Sequence, residues 1–154
     1  MEAGLDGVTF HQVDVSKKLV VYREAVAAGR IRLKPATIEK VRKGKLEKGD
    51  AVALAAVAAI TGAKKTPDLI ALCHPLKIEE VKPSVKVGDG WVEVTVKVVA
   101  HEKTGVEMEA LTAVAAALLN IWDVTKAYEK DSDGQYPGTA IESIHVIRKV
   151  KKAQ

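Results

Sequence analysis

Residues 78–100, which read IEEVKPSVKVGDGWVEVTVKVVA, contain the pattern that decides the fold. From Trp91 to Ala100 polar residues alternate with valines, and a weaker run of the same kind spans Ile78 to Val87. Alternation with a period of two is typical of a strand with one buried face, and Gly88-Asp89-Gly90 between the runs is typical of a hairpin turn. The stretch therefore predicts two antiparallel strands that share an apolar face.

The clearest predicted helix lies outward from this hairpin, at residues 106–129. Its apolar residues recur at helical spacing on one face: Leu111, Val114, Leu118, Ile121 and Trp122. That spacing indicates a face packed in the core. Further strands are predicted from Tyr22 to Leu33, with a break at Gly29, and from Ile144 to Val150. Together these elements predict an α+β domain, a mostly antiparallel sheet with helices packed on it.

Shorter helices are predicted from their start and stop signals. Pro35 suits the first turn of a helix that Gly44 ends, and Asp50 suits the N-cap of the alanine-rich helix that follows it. Thr66-Pro67-Asp68 repeats the start signal before a short apolar segment.

Length and composition predict one domain over residues 1–154, with residues 1–12 as a loose N-terminal arm. The 24 Lys and Arg against 20 Asp and Glu give a net charge of +4, which favours anionic ligands. A single cysteine, Cys73, excludes an internal disulfide and multi-cysteine zinc sites. The longest apolar run, Ala51 to Gly62, is shorter than the roughly 20 residues of a membrane span, and the N-terminus lacks a secretory signal. We therefore expect a cytoplasmic protein with no transmembrane helix.

Opposite the apolar face of the long helix lies a stripe of polar and small residues. Its members are Glu109, Thr112, Ala116, Asn120, Asp123 and Lys126. Asp123 and Lys126 are neighbours at i and i+3, so each can set the protonation of the other. A solvated ion pair is the alternative interpretation. The small residues beside the pair favour a pocket or a close contact between subunits.

Three further features are compatible with a site. Lys48 stands just before a predicted helix N-terminus, where a phosphate is favoured, although no P-loop pattern is present. Glu107 and Glu109 begin the long helix, where their charges also suit the helix dipole. Cys73 and His74 could suggest a nucleophile and a base, but adjacent residues usually point apart. The four histidines are scattered and predict no metal site.

Several strings of the sequence, taken together, resemble one family. They are Val13–Lys18, Lys48–Asp50, Ala63–Thr66, Asp68–Ile70, Leu72–Leu76, Thr104–Ala113 and the pair Asp123 with Lys126. These strings resemble the cyclic pyranopterin monophosphate synthases, the C proteins of molybdenum cofactor biosynthesis, from about residue 11 to residue 150. The LCHPL and TGVEMEALT blocks are the most specific, because both occur in one chain.

The resemblance implies a lyase that converts a cyclised dihydroguanosine triphosphate, with ribose C3′ joined to C8 of the base, into cyclic pyranopterin monophosphate and pyrophosphate. It also implies a ferredoxin-like fold and a hexamer, a trimer of dimers, whose sites are built from more than one subunit. No nucleic acid or membrane partner and no firmly bound cofactor are implied, and Mg²⁺ accompanying the triphosphate stays open.

The resemblance implies residue roles at the matching positions. The catalytic residues are Lys48, Asp123 and Lys126, and the substrate-binding residues are Arg23, Leu72, Cys73, His74, Glu107, Met108 and Glu109. Within the catalytic set we expect a lysine whose pKa is lowered, sharing proton transfer with the second lysine, while the carboxylate orients it. The chain lacks the Gly-Lys-Ser-Gly tail of many members, and Lys151 or Lys152 is the candidate substitute.

Two other classes remain open at this point. A phosphate- or nucleotide-binding module without catalysis would keep Arg23, His74 and the lysines but would not need Asp123. An RNA-binding α+β domain would need exposed aromatic residues on its sheet, and Trp91 is the one obvious candidate on a strand.

Overall fold

The computed structural model describes residues 4–5 and 8–153. The strands in chain order are β1 (Gly4–Leu5), β2 (Val8–Thr9), β3 (Val21–Arg32), β4 (Glu80–Val87), β5 (Trp91–Glu102) and β6 (Ala140–Lys152). The helices are α1 (Pro35–Lys43), α2 (Ala51–Lys64), α3 (Thr66–Leu69) and α4 (Glu107–Glu129).

The main sheet has four antiparallel strands in the order β4-β5-β3-β6. With the helices between them, these strands follow one another as strand, helix, strand, strand, helix, strand, which is the ferredoxin-like arrangement. The predicted α+β, mostly antiparallel fold is therefore confirmed. The predicted loose arm of residues 1–12 falls in part outside the described residues, and β1 pairs with β2 as a separate antiparallel ladder.

The predicted hairpin is confirmed, with one boundary moved. Gly90 has a φ of 80°, and the amide of Gly88 donates to the carbonyl of Trp91 at 2.8 Å, closing the turn. Strand β4 begins at Glu80 rather than at the predicted Ile78. The reason is the Glu79 side chain, whose Oε1 accepts the amide of His101 at 2.6 Å and takes the place of a backbone ladder bond.

The prediction of β3 is confirmed, and β6 starts earlier than the predicted Ile144. The pairing of β3 with β6 shifts register between Val26 and Ala27 and again between Ala28 and Arg30, and the second shift is at the predicted break, Gly29. A side chain at Gly29 would meet Ile144, Leu118 and Val114 at about 3 Å, so the close approach of α4 requires glycine there. Ser143, with a φ of 60°, interrupts the alternation of side chains along β6. For this reason the periodic pattern does not predict the residues of β6 that precede Ile144.

Helix α4 lies across the sheet as the centre of the core, as predicted. Val114, Leu118 and Ile121 are buried, whereas Leu111 and Trp122 are only partly buried. The helix is long and apolar enough to cross a membrane by length and composition alone, yet 56% of its most apolar window is buried inside the protein. That burial is typical of the core helix of a soluble protein.

The small-residue stripe of α4 serves a contact within the chain. A Cβ added at Gly62 of α2 would lie 2.7 Å from the Cβ of Ala116, so the two helices touch almost backbone to backbone. Glu109 and Thr112 at the start of the stripe are buried. Glu109 nevertheless lines a pocket at the start of the helix, and Asn120, Asp123 and Lys126 keep accessible surface further along the stripe, so the pocket interpretation holds at Glu109 and the contact between subunits stays a prediction.

The predicted caps of α1 and α2 are confirmed. Asp50 Oδ1 accepts the amides of Val52 and Ala53 at 2.9 and 3.2 Å, and Gly44, with a φ of 62°, ends α1. Thr66 does not cap α3. Its hydroxyl donates back to the carbonyls of Gly62 and Ala63, and α3 is only four residues long.

A buried carboxyl fixes the end of α4. Glu129 is fully buried, and its Oε2 accepts from the hydroxyl of Thr37 at 2.5 Å and from the amide of Lys34 at 3.0 Å. Its Oε1 accepts from the hydroxyl of Thr139 at 2.6 Å. One side chain thus joins α4 to the start of α1 and to the residue before β6.

Candidate functional site

Two groups of the predicted residues lie at opposite ends of α4. The first lines a pocket of about 350 Å³ at the N-terminus of the helix, which we call the acidic pocket. The predicted residues that line it are Leu72, Cys73, His74, Glu107, Met108 and Glu109. The structure therefore brings together six of the seven residues predicted to bind substrate.

The two carboxyl groups give the pocket its chemistry. Glu109 is only 2% exposed, and burial raises its pKa above the ordinary value, with the charge of Glu107 adding to the rise while its own backbone amide opposes it. Oε1 of Glu107 is buried and has no hydrogen-bond donor in the described part of the chain; the nearest cation is Lys149, whose Nζ lies 3.7 Å away. A buried acceptor without a donor suits a ligand that brings N–H groups.

Cys73 and His74 do not form a nucleophile and base pair. Burial raises the pKa of the Cys73 thiol, and the negative charge of Glu109 raises it further, so the reactive thiolate is disfavoured. The His74 ring bonds through Nε2 to the carbonyl oxygen of Val13 at 2.8 Å. Both residues therefore act here as lining, and the hydrolase interpretation finds no support.

The outer wall of the acidic pocket is a segment that the sequence reasoning gave no role. Residues 11–18, here called the covering segment, contribute His11, Val13, Val15 and Lys18 to the lining. Gln12 Nε2 donates to the carbonyl of Cys73 at 3.0 Å, and Lys103 Nζ donates to the carbonyl of Ser16 at 3.4 Å. The signal was present, because Val13–Lys18 was among the strings of the resemblance.

Arg23 lies beside the pocket but not in its lining. It is buried on β3, and its guanidinium donates to the carbonyls of Glu102 and Lys103 at 3.4 and 3.1 Å. These contacts hold the end of β5, from which the chain runs through Thr104 and Gly105 into α4. Binding of substrate by Arg23 stays a prediction, and its observed contacts are those of a residue that supports the pocket.

The three residues predicted to be catalytic meet at the other end of α4, in what we call the lysine-aspartate cluster. Lys126 Nζ lies 3.0 Å from Asp123 Oδ1, and Lys48 Nζ lies 3.4 Å from Asp123 Oδ2. Lys48, Asp123 and Lys126 are 52%, 55% and 41% exposed at their side chains. The cluster is thus open to a ligand and holds two cations around one anion.

The charges of this cluster tune one another. Hydrogen bonds from Lys126 and then Lys48 hold the pKa of Asp123 below its ordinary value, so this carboxylate is ionised at neutral pH. The same bond raises the pKa of Lys126. The expectation of a lowered lysine pKa is wrong for Lys126 in the single chain, because the carboxylate stabilises its charged form. Lys126 is therefore protonated at neutral pH.

The acidic pocket and the lysine-aspartate cluster do not form one cavity in a single chain. Glu109 and Asp123 are 14 positions apart on α4, which at 1.5 Å per residue separates them by about 21 Å along the helix axis. Among the described residues no group of three or more His, Cys, Asp or Glu side chains is placed to hold a metal ion.

Comparisons with known proteins identify the family of this chain. The model of the MoaC family matches residues 12–152. Similar proteins come from Thermococcus kodakarensis, 56% identical over 90% of this chain and 89% of that protein, and Pyrococcus horikoshii, 54% identical over 90% and 87%. A third, from Sulfurisphaera tokodaii, is 53% identical over 90% and 92%. Each is named "probable cyclic pyranopterin monophosphate synthase". The matches span the acidic pocket and the lysine-aspartate cluster alike, and the chain belongs to the MoaC family.

Proposed function

We propose that this chain is a cyclic pyranopterin monophosphate synthase of molybdenum cofactor biosynthesis. It is a lyase whose substrate is the cyclised dihydroguanosine triphosphate and whose products are cyclic pyranopterin monophosphate and pyrophosphate. The observation that carries the proposal is the meeting of Lys48 and Lys126 around Asp123 in a MoaC family member. We place the enzyme in the cytoplasm.

The acidic pocket takes the guanine-derived end of the substrate. That ring carries N–H donors, and Glu107 presents a buried oxygen without a donor. Recognition of N–H groups by a buried acceptor discriminates strongly, because a ligand that lacks the donor leaves the acceptor unpaired. Glu109, Met108 and the backbone around Cys73 complete the walls.

The lysine-aspartate cluster takes the triphosphate end. Two ammonium groups neutralise phosphate charge and stabilise the departing pyrophosphate. Lys126 donates a proton, and Lys48 takes part in the same proton transfer. Asp123 orients the ammonium group of Lys126 and keeps it protonated. Mg²⁺ that travels with the phosphates would be part of the substrate, and no resident cofactor enters the proposal.

The two ends of α4 form one site only if a second subunit supplies one of them. Across a two-fold axis near Ala116, midway between Glu109 and Asp123, the acidic end of one α4 faces the lysine-bearing end of the other. Val57 and Leu69 are exposed and line a groove of about 380 Å³ that also includes Ala116, and Leu119 of α4 is exposed as well. We therefore propose a dimer through this surface, assembled further into the hexamer that the resemblance implies.

Shared sites predict complementation between two inactive variants. Glu109→Ala removes a carboxyl group from the acidic pocket, and Lys126→Ala removes an ammonium group from the lysine-aspartate cluster. Each homo-oligomer is therefore expected to be inactive. Random mixed dimers contain one intact site in half of the molecules, so co-expression restores about a quarter of the wild-type activity. Activity that stays at the level of the separate variants would contradict the shared site.

The proposed reaction is tested by incubating the protein with the cyclised dihydroguanosine triphosphate. Wild type is expected to release pyrophosphate together with the product, which is detected as its fluorescent oxidation derivative. Lys48→Ala and Lys126→Ala are expected to lose at least about a hundredfold in rate, the usual scale for a proton-transferring group. Binding without turnover in the wild type would favour the phosphate- or nucleotide-binding module.

A further inference from the structure

Tyr128, in the last turn of α4, is bonded to the loop that carries Lys48. Its hydroxyl oxygen accepts the backbone amide of Glu47 at 2.8 Å. The ring packs against the edge of the core, and Lys40 Nζ lies 5.2 Å from its centroid. This contact joins residues 81 positions apart and belongs to none of the motifs in the sequence.

Lys48 depends on this loop for its position. The loop joins α1 to α2 and contains Gly44 and Gly49 at φ values of 62° and 121°, so its backbone follows a path that requires glycine. Lys48 itself is half exposed, and its distances to the two oxygens of Asp123, 3.4 and 3.5 Å, are long for hydrogen bonds. Its own side-chain contacts are therefore too weak to fix the ammonium group.

Helix α4 carries the partners of Lys48 and also the tyrosine that is bonded to the loop of Lys48. Asp123 and Lys126 lie on the helix directly, and Tyr128 on the same helix holds the residue that precedes Lys48. The helix end cannot shift freely, because the adjacent Glu129 is bonded to α1 and to Thr139. The buried side chain of Leu46 and backbone hydrogen bonds also hold this loop, and the Tyr128 hydroxyl is the hydrogen bond that ties it directly to the helix of Asp123 and Lys126.

We propose that Tyr128 is a positioning residue for Lys48 in the reaction. The inference rests on the proposed function, because it gives Lys48 a role in proton transfer. Tyr128 touches no reacting atom. It acts through the loop, so its loss affects the rate of the chemical step more than substrate binding, which Lys126 and the acidic pocket sustain.

The test removes the hydroxyl and keeps the ring. Tyr128→Phe is expected to lower kcat about tenfold with KM changed less than about twofold, since misplacement of a catalytic group costs rate steeply. Hydrogen exchange followed by mass spectrometry is expected to show faster exchange in residues 44–50 and unchanged exchange in the core of α4. Tyr22→Phe is the matched control, because the hydroxyl of Tyr22 also forms a hydrogen bond, to Glu24 of the same strand, and has no contact with the loop that carries Lys48.

The outcomes separate this proposal from the function on which it rests. An unchanged kcat in Tyr128→Phe, or a lower kcat with unchanged exchange in residues 44–50, would overturn the positioning role. A similar loss in Tyr22→Phe would do the same, because it would indicate a general effect of the substitution. Full activity in Lys48→Ala would instead remove Lys48 from the mechanism and would count against the proposed function itself.

Discussion

Replacing Asp123 with asparagine is expected to lower kcat by about 100- to 1000-fold while the Kd of the substrate changes little. The substitution keeps the size of the side chain and removes its charge. Lys126 then loses the anion that orients it at 3.0 Å, whereas both lysines remain to hold the phosphates. Because the cluster is exposed, the melting temperature is expected to stay unchanged.

The pH dependence of kcat is expected to change in one direction in Asp123→Asn. Lys126 donates its proton only below its pKa, and Asp123 raises that pKa. In Asp123→Asn the raised pKa falls, so the alkaline limb of the kcat profile is expected to move to lower pH. The profile is measured by pyrophosphate release between about pH 8 and about pH 11.5, so that the range includes the ordinary lysine pKa.

A matched control is available on α1, where Glu39 forms an exposed ion pair with Lys43 at 3.4 Å. Glu39→Gln removes the same kind of charge from a helix surface and is expected to leave rate and profile unchanged. An Asp123→Asn enzyme with wild-type kcat would exclude the orienting role of this carboxylate. A lower kcat without any shift of the alkaline limb would show that Lys126 is not the proton donor.

Much of the fold could be predicted from the sequence, because the deciding signals are local. The hairpin at Gly88 to Gly90, the cap at Asp50 and the apolar face of α4 each lie within one short stretch of chain. The wrong predictions concern places where segments that are distant in the sequence pack together. The stripe on α4 looks solvent-facing by periodicity, but Gly62 of α2 lets the two helices approach closely at Thr112 and Ala116, and Thr112 is buried.

The site could be predicted as a set of residues but not as a geometry. Matching motifs named six residues that the structure places in one pocket, and Asp123 and Lys126 are neighbours by helical spacing alone. Helical spacing cannot predict the contact between Lys48 and Asp123, because 75 positions separate the two residues in the sequence. It also does not show the covering segment, which has no periodic pattern and is placed by contacts to Cys73, His74 and Lys103.

The same reasoning explains why the most important buried polar residue was missed. Glu129 stands at the end of an amphipathic helix, where an acidic side chain ordinarily points into water. Its partners, Thr37, the amide of Lys34 and Thr139, lie in two other segments. In sequence these are ordinary surface-type residues, and only the packed structure buries the two threonines and brings all three donors to one carboxyl group.

Replacing Glu129 with alanine is expected to lower the free energy of unfolding by about 3 kcal/mol, the cost of leaving several buried donors unpaired. Helix α1 has no side-chain cap of its own, so Lys34 and Thr37 lose their partner together. For a chain of 154 residues this corresponds to a fall of roughly 10 °C in melting temperature. Urea unfolding at one fixed protein concentration measures the free energy directly, because oligomerisation makes stability depend on concentration.

Variants that each remove one hydrogen-bond donor to Glu129 show how much a single bond contributes to stability. Thr37→Val and Thr139→Val each delete one hydroxyl that bonds to Glu129 and keep a side chain of similar shape, so each is expected to cost about 1 kcal/mol. Glu129→Gln keeps an acceptor but turns an amide NH₂ group towards one set of donors, and its cost should lie between those of the valine and alanine variants. If Glu129→Ala is destabilised by no more than either valine variant, the three hydrogen bonds do not act together. The end of α4, with Lys126 and Tyr128 on it, would then be held by apolar packing alone.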